Sequence, residues 1–447
     1  MISLFKKILS GIFGDLNYQK YATNYIARNS TLLFFIQCFS ILLVFVSNYV
    51  LIKTAGVDNY GAYVFVFNLV YLLLNFSLMG FDTLLIKKAA IYEDISEYGE
   101  FKGLLLTSVI IILISSAVAA SIFQIAGKWS NPEIISNEMN WFLIAFFSLL
   151  MLSAAALFQS VLQGRRKIVW SQIGEKIVRP LLLIIIVVGY YYLYKSVSLK
   201  SLIWINITAI GLAMSVTLWF FKKTITGKIG RIKAVFHVRD WMKASFSFLL
   251  VDLLYNGNSR ISIFLLGIFR TGDDVGIFNI ALRISEVISF ALVIVNFVLS
   301  PVIAKLYAAG KMNELQILVK RCARITLVVG TVLTAGILLF SNEILSLFGS
   351  TFLEGRPALM TLCYGQVINI LCGSVGLLLI MTGKQRYSIY SLALGLITNV
   401  LFNLLLTPRY GVSGAAISLT ASLIIWNLAM YYFVRRTLNI RPTAFGV

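Results

Sequence analysis

The stretch VDNYGAYVFVFNLVYLL, residues 57–73, resembles GDDVGIFNIALRISEVI, residues 272–288, at an offset of 215 residues. A second pair of stretches, LQGRRKIVWS at 162–171 and MTGKQRYSIY at 381–390, is related by an offset of 219 residues. Self-similarity at two nearly equal offsets indicates that the chain contains two copies of one structural unit.

The composition around these stretches is typical of an integral membrane protein. Of the 447 residues, 59% are hydrophobic and 13% are charged, and the mean hydropathy is +0.88. A helix needs about 20 apolar residues to cross roughly 30 Å of hydrocarbon. Twelve such runs are present, without the alternation that is typical of membrane β-barrels. They lie near 31–52, 61–86, 103–126, 141–162, 177–194, 201–221, 244–268, 276–302, 323–340, 358–381, 388–406 and 412–434.

Each copy contains six spans, an even number, so both copies have the same orientation in the membrane, as in a parallel repeat. We therefore predict an all-α integral membrane protein with twelve transmembrane helices in two parallel-repeat six-helix lobes around a central cavity. The predicted segments are an interfacial amphipathic helix at 1–20, an N-terminal lobe at 21–221, a cytoplasmic linker at 222–243, a C-terminal lobe at 244–434 and a cytoplasmic tail at 435–447.

The positions of the basic residues explain the net charge of +20. With a cytoplasmic N-terminus, 29 of the 38 Lys and Arg residues fall on the cytoplasmic side and 7 on the outer side, which leaves Arg260 and Arg283 inside spans. Such an excess in cytoplasmic loops orients membrane proteins and attracts anionic lipid headgroups. Both termini are therefore predicted to be cytoplasmic, and the charge does not indicate a nucleic-acid partner.

Arg179 and Arg324, at the starts of their spans, are counted with the cytoplasmic side, and five charged residues lie further inside the predicted spans: Asp82, Asp252, Arg260, Arg283 and Glu286. A charged side chain at mid-span costs about 2.5–3.5 kcal/mol on insertion scales, so it faces protein or water and often marks a transport pathway. Two interpretations stay open. The charges either neutralise one another as buried pairs or line a polar pathway, and the two roles are compatible.

Helical spacing groups the polar residues of the seventh span. Residues four apart lie on nearly the same helix face, so Asp252, Asn256 and Arg260 form one stripe. The chain returns through the eighth span, which is expected to bring Arg283 to the depth of Arg260 and Glu286 nearer the midplane.

The second span carries another polar stripe, because Asn68, Asn75 and Asp82 recur at intervals of seven residues. Arg28 and Lys243 occupy matching positions at the cytoplasmic start of the two halves. We interpret these features as the lining of a water-filled cleft between the halves.

Four stretches, TAGVDNYGAY, LSPVIAKLYAAGKMNEL, MTGKQRY and LTPRYGVSGAAISLTAS, resemble bacterial polysaccharide flippases of the Wzx type. These flippases belong to the multidrug, oligosaccharidyl-lipid and polysaccharide exporter superfamily. The resemblance implies that an undecaprenyl-diphosphate-linked oligosaccharide, an O-antigen or capsule repeat unit, crosses the bacterial inner membrane to the periplasmic leaflet by alternating access. It also implies a polysaccharide polymerase and a chain-length regulator as partners.

On this interpretation, basic side chains bind the diphosphate, because arginine can donate two N–H groups to one phosphate. These side chains are Arg28, Lys243, Arg260 and Arg283. Amide side chains bind sugar hydroxyls, and they are Asn68, Asn75 and Asn256. Carboxylates are candidates for coupling transport to H⁺ or Na⁺, and they are Asp252, Glu286 and Asp82.

Two other functions are alternatives to that of a flippase. A multidrug cation antiporter of the same superfamily would require unpaired acids in its cleft, and the arginines within spans count against it. A membrane glycosyltransferase or polymerase would need an active site, but the outer loops are short and the chain has one His and no pattern of metal ligands. No enzymatic activity, cofactor or metal site is therefore predicted.

Overall fold

The computed structural model describes residues 24–94, 97–127, 140–165, 167–225 and 233–444. Within these ranges the regular secondary structure is helical. The α-helices are α1 (Asn24–Ala55), α2 (Val57–Leu78), α3 (Phe81–Asp94), α4 (Tyr98–Gly127), α5 (Trp141–Gly164), α6 (Ile168–Ile173), α7 (Arg179–Tyr194), α8 (Leu199–Ile225), α9 (Val238–Phe269), α10 (Gly272–Ala308), α11 (Met312–Leu339), α12 (Ser341–Phe348), α13 (Arg356–Cys372), α14 (Val375–Met381) and α15 (Gln385–Leu438). A π-helical turn, Gly174–Val178, joins α6 to α7, and a 3₁₀ helix, Ser350–Gly355, precedes α13.

The helices are those of a multi-span membrane protein. In the described part of the chain, nine are long and apolar enough to cross a membrane, or ten if the bent pair formed by Ser350–Cys372 and Val375–Met381 is one span. α9 is not among them, because Asp252 and Arg260, together with nearby amides, lower its hydropathy. The predicted helical class is confirmed, whereas the number twelve is not.

α15 contains 54 residues but is not one straight rod. A straight helix of that length would extend for about 80 Å, far beyond the thickness of a bilayer. The helix breaks at Gly411, which has φ 53° and ψ −127°, three residues after Pro408. Arg270 donates from Nη2 to the Pro408 carbonyl at 2.8 Å and from Nε to the Thr407 carbonyl at 3.4 Å. These bonds satisfy backbone oxygens at the break.

The chain forms two compact units. The N-terminal unit is Phe35–Arg260 with Thr271–Gly276, and the C-terminal unit is the remainder: Met1–Phe34, Ile261–Arg270 and Ile277–Val447. The boundary therefore passes through α9. The lobe limits proposed from the sequence at 221 and 244 stay a prediction.

The core of the N-terminal unit joins α3, α4, α5 and α9. Its fully buried side chains include Phe81, Leu84, Leu85, Leu104, Leu157 and Trp241. α9 approaches closely because α2 and α3 are separated by a turn at Gly80 with φ +75°. A Cβ on Gly80 would lie 2.2 Å from the Ser245 carbonyl oxygen of α9. This packing places the first half of α9 in the N-terminal unit.

The duplicated stretches meet each other within this unit. The start of α2 packs against the start of α10, where a Cβ on Gly61 would lie 1.7 Å from the Gly272 carbonyl oxygen. Gly276, the repeat equivalent of Gly61, lies beside it, since a Cβ on Gly276 would be 3.5 Å from the Gly61 Cα. Equivalent glycines thus allow the two copies to approach backbone to backbone.

In the C-terminal unit, α13 and α14 pack against α15, and an amide network reinforces the packing. Asn399 Oδ1 accepts from the Ser262 hydroxyl of α9 at 2.9 Å, and Asn403 Nδ2 donates to the same hydroxyl at 3.3 Å. The Thr407 hydroxyl donates to Asn403 Oδ1 at 2.8 Å. These buried residues link two helices.

Substitution of Gly61 by alanine is expected to lower the melting temperature of the detergent-purified protein. The new methyl group would overlap the Gly272 carbonyl, and overpacking of this kind costs about 1–3 kcal/mol. Gly189→Ala is the matched control, because no atom lies within 4 Å of a Cβ there. Equal melting temperatures for the two variants would contradict the close approach of the repeats.

Arg270→Leu is expected to destabilise the C-terminal unit, because the carbonyl of the buried Thr407 loses a donor and the exposed Pro408 carbonyl loses its hydrogen bond. An unsatisfied buried polar group costs about 1–3 kcal/mol. Thermal unfolding should therefore begin at a lower temperature than in Arg409→Leu, which removes an exposed arginine from the same region. A matching melting temperature for these variants would show that the break does not depend on Arg270.

Candidate functional site

The polar residues of α2 and α9 meet in the N-terminal unit. Asn68 is buried, and its Nδ2 donates to the Arg260 carbonyl oxygen at 2.8 Å. Tyr71 lies one turn further along α2, and the Arg260 guanidinium carbon lies 4.7 Å from the centre of its ring. Arg260 is therefore held at α2 by a backbone hydrogen bond and by a cation–π contact.

A second arginine contacts the same ring. The Arg179 guanidinium carbon lies 5.4 Å from the ring centre of Tyr71, and Arg179 Nη1 donates to the Tyr71 hydroxyl. Arg179 Nη2 donates to Asn206 Oδ1 of α8 at 3.3 Å. We call Asn68, Tyr71, Arg179, Asn206 and Arg260 the Tyr71 site.

Arg179 is a residue that the sequence analysis missed, and its assignment there to the cytoplasmic side is corrected by the structure. The span that contains it begins at Ile168 rather than at residue 177. Arg179 is therefore eleven residues into this span, or about 16 Å along its axis. The polar run SQIGEK, residues 171–176, lowers the hydropathy of the first half of this span and hides it from a search for apolar runs.

The π-helical turn sets the direction of Arg179. Its N–H donates to the Gly174 carbonyl, a bond that spans five residues and shifts the helix face relative to regular α-helix. Gly174 is required by close packing, because a Cβ there would lie 2.2 Å from Thr217 Oγ1 of α8. Turns of this kind are often found at functional sites.

The Tyr71 site has an excess of hydrogen-bond donors. Within the described ranges, no carboxylate forms an ion pair with Arg179, and the nearby Glu175 accepts from Gln159 Nε2 at 3.2 Å. An arginine carries five N–H donors, and two of those on Arg179 are used within the site. Asn206 is fully buried, and its Nδ2 has no hydrogen-bond partner among the described residues. The site therefore combines positive charge with donors that lack acceptors.

Arg179 also lines a small open pocket of about 10 Å³ within the N-terminal unit. Gln159, Glu175 and Thr217 contribute its polar wall, and Ile210 and Met214 are among its apolar residues.

Two acidic side chains lie together elsewhere in the same unit. Asp252 of α9 lies within electrostatic range of Asp82 and interacts with the Thr83 side chain of α3. Asp82 Oδ1 is buried and has no hydrogen-bond partner among the described residues. Asp252 is eight residues from Arg260, or about 12 Å along α9. The acidic pair is thus separate from the Tyr71 site.

The other predicted residues of this unit are not in the Tyr71 site. Lys243 and Asn256 are exposed on α9, and Asn75 is half-buried on α2. Arg28, which belongs to the C-terminal unit, is placed within α1, but its side chain lies outside the described residues. Their predicted roles in binding stay predictions.

In the C-terminal unit, Arg283 and Glu286 form an ion pair on α10. Arg283 Nη1 lies 3.0 Å from Glu286 Oε2, and both side chains are partly exposed. This pair differs from the buried pairs considered in the sequence analysis, because both residues lie on one helix and both side chains are exposed. The expected match in depth between Arg283 and Arg260 stays a prediction.

Comparison with known proteins places the chain in a family. The family model described as "Polysaccharide biosynthesis protein" matches residues 26–307, and a second model, MatE, matches residues 247–405. An uncharacterized membrane protein of Methanocaldococcus jannaschii is 27% identical over 48% of this chain and 44% of its own length. The capsular polysaccharide biosynthesis protein CapF of Staphylococcus aureus is 32% identical over 35% of this chain and 41% of its own length. The matched part thus spans less than half of either relative.

Solved structures share the fold over most of the chain. A multidrug resistance MATE family transporter of the MOP superfamily, in its inward-facing conformation, has a TM-score of 0.67 at 15% identity and covers 89% of this chain and 94% of its own. Lipid II flippase MurJ, in an inward closed conformation, has a TM-score of 0.67 at 16% identity and covers 90% of this chain and 87% of its own.

These matches confirm the resemblance to the exporter superfamily and the predicted two-lobe helical fold. The polysaccharide biosynthesis model alone matches more than half of the chain. The protein therefore belongs to the polysaccharide biosynthesis protein family.

Proposed function

We propose that the protein is a flippase that moves an undecaprenyl-diphosphate-linked oligosaccharide, such as an O-antigen or capsule repeat unit, from the cytoplasmic to the periplasmic leaflet of a bacterial inner membrane. Family membership supports a role in polysaccharide biosynthesis. The observation that carries the proposal is the Tyr71 site, where Arg179 lies well inside a membrane span without an ion pair among the described residues.

The physical difficulty of the reaction explains the need for such a site. The sugars and two phosphates of the substrate would lose their hydration in hydrocarbon, and burial of unpaired charge is very costly. A protein surface with arginines replaces that hydration, because guanidinium groups donate paired, charge-assisted hydrogen bonds to phosphate oxygens. The polyprenyl chain remains in the lipid while the headgroup crosses. The two helical lobes alternate access to the headgroup.

The remaining residues have subsidiary roles in this proposal. Arg28 and Lys243 attract the headgroup at the cytoplasmic surface, where both termini lie. Arg283 becomes available to the substrate when Glu286 is protonated, since these side chains are paired in the present structure. Asn68, Asn75 and Asn256 bind sugar hydroxyls, and a polymerase and a chain-length regulator use the exported product.

Two carboxylates in the N-terminal unit are the candidate coupling groups. Asp82 and Asp252 lie close enough to repel each other when both are charged. A proton or Na⁺ would relieve that repulsion and would stabilise the packing of α3 against α9. Glu286 is the corresponding candidate in the C-terminal unit.

The second candidate function is export of cationic drugs, which the shared transporter fold supports. The charge of the Tyr71 site favours an anionic substrate instead, because two guanidinium groups repel a cation. Glycosyltransfer or polymerisation has no specific structural observation in its favour.

Arg260→Ala is expected to reduce glycan export about 10- to 100-fold, since a hydrogen bond to a charged group contributes about 1.5–3 kcal/mol. The assay is the amount of surface glycan in a deletion strain that expresses the variant, with membrane levels of the protein measured in parallel. Lys311→Ala is the control, because Lys311 forms an exposed ion pair with Glu314. Full export by Arg260→Ala and Arg283→Ala would falsify this assignment.

A strain without the protein should accumulate lipid-linked glycan on the cytoplasmic leaflet and keep its normal resistance to cationic drugs. Glycan that is assembled but retained distinguishes a flippase from a polymerase, whose loss would leave single repeat units outside the membrane. Increased drug sensitivity with normal glycan export would instead favour the antiporter.

Asp82→Asn and Asp252→Asn are expected to make export insensitive to the ion gradient that drives it. Export by the unmodified protein should fall after collapse of either the proton gradient or the sodium gradient. Glu343→Gln provides a control, since Glu343 lies on α12 and is exposed. Export that persists after collapse of both gradients would exclude coupling by these carboxylates.

A further inference from the structure

We propose that Arg179 and Arg260 are the two arms of a diphosphate receptor and that Tyr71 is the positioning residue that holds them. This inference rests on the proposed function and deepens it, because it specifies what distinguishes a diphosphate-linked lipid from one with a single phosphate. Neither Arg179 nor Tyr71 was a candidate from the sequence.

The two guanidinium groups lie close enough to bind one diphosphate. Each guanidinium carbon lies close to the Tyr71 ring centre, at 4.7 Å for Arg260 and 5.4 Å for Arg179. The two carbons are therefore at most about 10 Å apart, the sum of these distances. The two phosphates of a diphosphate share one bridging oxygen, so they can be bound by two groups at this separation, one phosphate for each arginine.

The positive charges of the two arginines must be stabilised within the site. Two guanidinium groups this close repel each other unless an anion or a neutral partner compensates. A carboxylate between them would compensate but would also compete with phosphate. Glu175 attracts Arg179 electrostatically without forming an ion pair with it. The Tyr71 ring attracts both cations, and its hydroxyl accepts from Arg179. The arginines are thereby held in place while Arg179 keeps its full charge.

Several hydrogen-bond donors of the Tyr71 site lack an acceptor. Three of the five N–H groups of Arg179 have no acceptor among the described residues, and Asn206 Nδ2 also lacks one. A phosphate has several strong acceptor oxygens and no need of a donor at neutral pH. The missing partners of the site are therefore acceptors with negative charge.

Different helices position Arg179 and Arg260. Arg179 follows the π-helical turn of its span, whereas Arg260 lies in α9, and each is bound to α2 through Tyr71 or Asn68. Three separate helices thus contribute to one receptor. Such rigid elements place charged groups more precisely than loops do.

The test measures binding of two lipids to the full-length protein in nanodiscs: undecaprenyl diphosphate and undecaprenyl monophosphate, both without sugar. The unmodified protein is expected to bind the diphosphate at least about 10-fold more tightly, since one additional charge-assisted contact contributes that factor or more. Arg179→Gln should lower diphosphate affinity by the same factor and leave monophosphate affinity nearly unchanged, so that the selectivity disappears.

Variants of Tyr71 separate positioning from direct binding. Tyr71→Phe keeps the ring contacts and removes the hydroxyl, so it should retain part of the selectivity. Tyr71→Leu removes both and should behave like Arg179→Gln. The control is Tyr432→Leu, because Tyr432 forms a similar pair with Arg436, with a hydrogen bond of 2.9 Å and a cation–π distance of 6.0 Å, at an exposed position. This control should retain full selectivity.

The outcomes separate this inference from the proposed function. Unchanged selectivity in Arg179→Gln and Tyr71→Leu overturns the two-armed receptor, and the flippase proposal stands if Arg260→Ala still abolishes export. If Arg179→Gln is not stable enough to purify, Arg179→Lys keeps the charge without paired N–H geometry and should show reduced selectivity. Equal affinity of the unmodified protein for both lipids also overturns the receptor.

Discussion

The contact of two arginines with one tyrosine ring is the interaction on which the proposed chemistry depends. Isolated charges are costly within a membrane, and a carboxylate partner is the usual remedy. Tyr71 offers a different one, because an aromatic face attracts cations and its hydroxyl accepts a hydrogen bond without removing positive charge. Arg179 is therefore held without a direct ion pair among the described residues, and the ring contact gives each arginine a defined position.

Close helix packing makes this arrangement possible. Gly61 and Gly80 let α2 and the turn after it approach other backbones at distances that a side chain would prevent. Gly174 does the same for the π-helical turn beside α8. Helices in membranes associate largely through such close contacts between small residues, because lipid is as apolar as the side chains it replaces. Gly80 thereby allows close packing of the turn after α2 against α9, and Gly174 allows close packing of the π-helical turn against α8.

The charged residues have different partners in the two units. In the N-terminal unit, the Tyr71 site keeps its arginines apart from the acidic pair Asp82 and Asp252. In the C-terminal unit, Arg283 is neutralised by Glu286 on the same helix. The units therefore hold their charges differently: two arginines contact one aromatic ring in one unit, and one arginine is paired with a carboxylate in the other. Candidate coupling carboxylates occur in both units.

The amino-acid sequence by itself determined the helical membrane class, the internal duplication and the stripe that contains Arg260, because these follow from local hydropathy and helical periodicity. It also singled out Asn68 as part of a polar stripe; in the structure Asn68 donates to the Arg260 carbonyl, and its role in sugar binding stays a prediction. Only the tertiary structure decided that Arg179 lies eleven residues into its span and beside Tyr71. The reason is physical: a π-helical turn and glycine contacts between distant segments set that geometry, and neither leaves a periodic pattern in the chain.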